Sequence, residues 1–84
     1  MNAAELDALL RQFLVDHKLN ANERDELKHW ANENVDGEQK RAAARGMVFD
    51  AARNAAASAD AVELLTFVEE ALEILLPMKA NESV

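Results

Sequence analysis

Three short stretches of this chain share one pattern: Asn2 with Glu5, Asn20 with Glu23, and Asp60 with Glu63. In each, a short oxygen-bearing side chain is followed three residues later by a glutamate, and then by apolar residues at helical spacing. The first group can accept from the unpaired N–H groups of a helix start, and the glutamate can return a bond to the backbone behind it. Asp36 with Gln39 offers a fourth start of the same kind. A chain so rich in helix starts has little room for strands. Only two Gly and one Pro among 84 residues also argue against a sheet-rich fold with many tight turns.

The periodicity follows the caps. Leu6, Leu9, Leu10, Phe13 and Leu14 make one stripe on a first helix that fades after Asp16. Leu27, Trp30, Ala31 and Val35 make a narrower stripe on a second. The residues Asn32, Asn34, Asp36 and Gly37 read as fraying and a turn. A third helix runs from the Asp36 cap to about Ala57, with Ala44, Met47, Val48, Ala51, Ala52 and Ala55 on one face. Gly46 inside it marks a kink or a close crossing. The fourth starts at the Asp60 cap and stops at Pro77, which cannot continue a helix. The expected fold is therefore all-α, a small bundle of four helices with short connections spanning residues 1–77, with 78–84 a tail or linker.

Charge narrows the partners. With a net charge of −7, the chain lacks the basic face that phosphates require, so neither nucleic acid nor an anionic membrane surface is expected. It has no basic leader followed by an apolar run and no stretch of membrane-spanning length, so the expected location is cytoplasmic. The absence of Cys removes disulfides, thiolate metal sites and a cysteine nucleophile. Helix 4 has acids and no base, whereas helix 3 carries Lys40, Arg41, Arg45 and Arg53; adjacent antiparallel packing would bring opposite signs together.

The stretch Val15 to Leu27 poses a sharper question, because Asp16, Asn20 and Asn22 could line a cation loop. A calcium loop of the EF-hand type needs an oxygen ligand at its third position, Gly at its sixth and Glu at its twelfth. Counting from Asp16, those positions hold Lys18, Ala21 and Leu27. A turn between helices accounts for the same residues: Leu19 anchors it, Asn20 caps the next helix, and Asp25 and Glu26 favour the positive end of its dipole. Glu26 and His29 have the spacing of a di-iron ligand pair, but such sites need a second pair and further glutamates. His17 extends the apolar face of the first helix, and Ser58, Thr66 and Ser83 have no His close in sequence. No catalytic residue, metal or cofactor is expected.

Two family resemblances can be stated. The segment FLVDHKLNANERDEL resembles the opening of tellurite-resistance TerB-like helical domains, in which an acidic turn and a Glu start the second helix. This chain has His17 where that family carries Gly after the acid. The resemblance implies a metal-responsive stress domain that uses acidic residues. A likeness over most of the chain rests on L-x-x-x-L-x-D-x-K-L-x-x-x-E-R, then F-D-A-A-R, then LLTFVEEALEILLP. That order resembles the helical segment preceding the catalytic domain in some bacterial phospholipase-D-superfamily proteins. Their catalytic domains carry His-x-Lys, which this chain lacks, so the resemblance implies the accessory module without the enzyme.

The functional expectation is a non-catalytic interaction module whose partner is a protein, either an adjoining domain or a second copy. Helix 4 carries the reason. Its apolar positions run from Ile74 and Phe67 through Leu64, Ala71, Leu75 and Val68 to Leu72, Leu65 and Leu76, an arc of about 200°, twice the usual stripe. One side should stay uncovered, with Phe67 and Ile74 the expected contacts and Trp30 a further anchor, in the core or at the interface.

Overall fold

The computed structural model describes residues 1–76, so Pro77 and the expected tail at 78–84 lie outside the described residues. Four helices follow one another: α1 (Ala3–Phe13), α2 (Ala21–Asn34), α3 (Glu38–Ala55) and α4 (Ala61–Leu75), and no strand occurs among the described residues. Three of the four starts lie at the caps the sequence offers. Asn20 and Glu23 form the full reciprocal box, with the Glu23 N–H donating to Asn20 Oδ1 at 2.8 Å and the Asn20 N–H to Glu23 Oε1 at 3.1 Å. Asp60 caps α4 by accepting from the Val62 N–H at 2.9 Å. Asn2 caps α1 by accepting from the Glu5 N–H at 3.0 Å, but its own N–H donates to Asn34 Oδ1 on α2 at 2.7 Å. Trp30 Nε1 donates to the Asn2 carbonyl, and Asn34 Nδ2 to the Trp30 carbonyl. The Asn34 turn is thus a strap tying the end of α2 to the start of α1, not a frayed end.

The fourth start is a correction. Gly37, not Asp36, is the N-cap of α3, and no side chain caps it. Asp36 instead pairs with Lys40 at 3.0 Å. Glu38 in the first turn is held by Arg41 at 3.1 Å and Arg45 at 2.8 Å, which favours beginning the helix one residue later, with an acid at its positive end. Gly46 does not mark a close crossing: a Cβ there would meet nothing within 4 Å, and α3 is continuous through it.

α1 packs on α2 and α3, and α4 packs on the same two, so the helices form a ring with α1 and α4 at opposite corners. Leu6, Leu10 and Phe13 meet Leu27 and Trp30, Ala44 and Val48, and Phe67, Ala71 and Leu75 in one core. Leu19, from the α1–α2 turn, closes one end of it. Large side chains on three helices meet the smaller Ala44 and Val48 of α3. Burying each of the Leu and Phe side chains contributes roughly 1.5–3 kcal/mol. The short connection 56–60 makes α3 and α4 an antiparallel hairpin, as their charges anticipated. Those charges do not meet, however. The arginines of α3 pair with Glu38 and Asp50 on their own helix, and among the described residues the ion pair between helices is Arg24 of α2 with Glu70 of α4 at 3.2 Å.

Candidate functional site

α4 divides into a buried row and an outer stripe. Leu64, Phe67, Ala71 and Leu75 form the buried row. Phe67, expected at an interface, is 1% exposed and stands in the middle of the core. Ile74 is half-buried and packed against that core, and Trp30 is buried with its indole N–H satisfied by Asn2. The reason is the position of α2. The Arg24–Glu70 pair and a cleft lined by Arg24, Lys28, Glu70, Glu73 and Ile74 place α2 along the Phe67–Ile74 edge, so that edge is covered. The apolar excess of α4 is exposed, but on the opposite side.

Val62 is 70% exposed, Leu65 60% and Leu76 45%, and Leu72 is half-buried between them. At about 100° per residue these positions and Glu69 lie within about 80° of one another. α3 flanks this stripe. Ala51 and Ala55 of α3 line a groove with Leu10 and Leu14 of α1, which identifies the α1 side of α3. Phe49 lies about 160° around the helix from Ala51, on the α4 side. It is 49% exposed, and counting back through the connection sets it level with the middle of α4. Leu65, Leu72 and Phe49 therefore border the outer seam of the hairpin, while Val62 turns away from it toward the α1–α2 turn. Sequence reasoning missed Val62 and Phe49. The signal for Val62 was its register, one turn before Leu65 and on the same side; Phe49 needed the packing of α3 to assign its flank.

The remaining candidates resolve into scaffolding. His17 has φ 60°, in the left-handed region, and with Asp16 Oδ1 accepting from the Lys18 N–H it ends the α1 overhang and reverses the chain. A cavity of about 280 Å³ opens beside this turn, with Leu19, Val62 and Phe67 as its apolar wall and Lys18, Glu63 and Glu70 at its rim. Glu26 and His29 are both exposed, and His29 Nε2 lies 3.4 Å from Glu33 on its own helix. Among the described residues no three of His, Asp and Glu converge as a metal would need. Ser58 and Thr66 donate their hydroxyls to the Ala55 and Val62 carbonyls of their own turns. Two carboxyls lie below their ordinary values, Asp36 through its hydrogen bond with Lys40 and Glu38 through those with Arg45 and Arg41. Both belong to surface pairs, not to a cleft. No helix among the described residues is long and apolar enough to cross a membrane. Comparison with protein-family models, with curated proteins and with solved structures gave no match in any of the three.

Proposed function

We propose that this chain is a non-catalytic helical interaction module of the bacterial cytoplasm, the accessory part of a larger assembly, in the manner of the segment before a phospholipase-D-like catalytic domain. The observation that supports this reading is the outer stripe of α4, where Val62, Leu65 and Leu76 stand in solvent on a helix whose other edge already completes the core. Scattered exposed apolar residues need no explanation, whereas a contiguous strip of them on a small domain marks a contact surface. The module docks a protein through that strip and performs no chemistry of its own. Site-specific photo-cross-linking in the native cell tests it. A cross-linker replacing Leu65 should yield a discrete adduct with one protein, and the same group at exposed Asp25 on α2 should not. Equal adducts from both positions, or none from Leu65, would contradict the reading.

A further inference from the structure

Of the two glycines, Gly46 follows Arg45 and Gly37 follows Asp36, so residues 36–37 are the one place where Asp or Asn precedes Gly. The backbone of Gly37 does not need glycine. Its φ of −172° and ψ of 170° are extended, and a Cβ built there meets nothing within 4 Å. What the missing Cβ changes is access to the Gly37 nitrogen. A carboxyl one residue back can reach that nitrogen and close a five-membered ring, whereas a side chain on the second residue hinders the closure.

This joint is open to the reaction as the other aspartates are not. Asp36 lies between the end of α2 at Asn34 and the start of α3 at Glu38, and its side chain is 79% exposed. No side chain caps the α3 start at Gly37, and among the described residues no backbone carbonyl accepts from the Gly37 N–H. Asp7, Asp25 and Asp50 stand inside helices, where the next N–H is tied into the helical ladder. Asp16 precedes His17 and accepts from the Lys18 N–H; Asp60 precedes Ala61 and accepts from the Val62 N–H. The restraint on Asp36 is ionic. Lys40 Nζ lies 3.0 Å from its Oδ1, and that hydrogen bond and charge hold the carboxyl ionised, below its ordinary value. A neutral acid can lose water when a nitrogen attacks it; a carboxylate has no such leaving group.

We infer that the Asp36–Gly37 joint is a modification site at which the main chain isomerises through a cyclic imide, and that Lys40 slows the step. The Gly37 nitrogen bonds to Asp36 Cγ, a Cγ–O bond breaks, the nitrogen gives up its proton and one water leaves. Water then adds to either imide carbonyl. Opening at Cγ restores aspartate; opening at the α-carbonyl leaves isoaspartate, with Cγ in the main chain and the α-carboxyl as the side group. The product inserts a methylene between Asn34, which holds Asn2 of α1, and Glu38, which Arg41 and Arg45 hold.

The test ages the full chain at neutral pH and maps its peptides by mass spectrometry. Electron-transfer fragmentation tells isoaspartate from aspartate, and the imide is read as the loss of one water. Isoaspartate should accumulate at residue 36 and not at the other five aspartates. Gly37→Ser, which keeps a residue favoured at helix N-caps, should abolish the accumulation. Lys40→Gln should speed it by about two- to fivefold, the range an exposed ion pair gives, and Lys40→Arg should leave the rate as it is. Lys40 is a surface residue, so both of its variants keep the fold, which circular dichroism verifies. Isoaspartate spread evenly over the aspartates, or accumulation at residue 36 unchanged by Gly37→Ser, would overturn the site. An unchanged rate in Lys40→Gln would overturn the role of Lys40 and keep the site. Neither imide nor isoaspartate in the parent and in Lys40→Gln would overturn both.

Discussion

Asn20 does more for its helix start than Asp60 does for the start of α4. It accepts one hydrogen bond and its backbone donates another to Glu23, a residue only 9% exposed. Asp60 makes one bond, to Val62, at an exposed helix start. Asn20→Ala should therefore lower unfolding stability by roughly 1–2 kcal/mol and Asp60→Ala by roughly 0.5–1 kcal/mol, because only the first leaves a largely buried partner underused. Denaturant midpoints rank the two. His17 poses the opposite case: a non-glycine residue with φ 60° is held there by the turn, and His17→Gly should raise stability by about 0.5–1 kcal/mol. Glu38 supplies a pH test. Its folded carboxyl is depressed by Arg45 and Arg41, so the stability it contributes is present above its ordinary value of 4.5 and is lost as pH falls through the lower folded value. Arg45→Gln should bring the NMR titration of Glu38 back toward 4.5, and the stability difference between the two proteins should shrink in acid. At this scale Asn2, Asn20 and Asp60 were legible because a cap is a local matter, decided within four residues. Asp36 was not, since Lys40, Arg41 and Arg45 compete for the acids around that start.

Among the helices, α3 and α4 solve opposite problems. α3 offers Ala44, Val48 and Ala52 to the core and contributes little apolar area. α4 has more apolar surface than a corner of the ring can cover. Gly46 lies in the middle of α3 with open space where a Cβ would stand, so Gly46→Ala should stabilise the domain by about 1 kcal/mol, read as a higher thermal midpoint. A lower midpoint would reinstate the close crossing that the sequence offered as one reason for the glycine. The width of the arc on α4 was readable from the spacing of its apolar residues; which edge lies inward was not. That choice depends on α2 lying along the Phe67–Ile74 side, fixed by Leu27, Trp30 and the Arg24–Glu70 pair, all distant in sequence from α4. Periodicity gives a helix its faces, and only its neighbours assign them.

For the molecule as a whole, the bundle of four helices was legible from caps, stripes and short connections, whereas its ring order and the exposed apolar stripe of α4 became visible only after packing had used up the rest. The carboxylates of the α1–α2 turn serve cap and turn, so calcium or zinc at micromolar concentration should leave the thermal midpoint unchanged; a rise that saturates with metal would favour the metal-responsive reading, because a ligand that binds only the folded state stabilises it by mass action. The central claim is that α4 holds the fold with one edge and keeps the other spare. Equilibrium urea unfolding of two proteins tests it most directly: Val62→Ser with Leu65→Ser, and Phe67→Ser. The first should stay within about 0.5 kcal/mol of the parent, as changes at exposed positions do. The second should lose about 3–5 kcal/mol or fail to fold, as truncation of a buried phenylalanine does. A Val62/Leu65 variant that loses as much as the Phe67 variant would contradict the claim, since the outer stripe would then belong to the core.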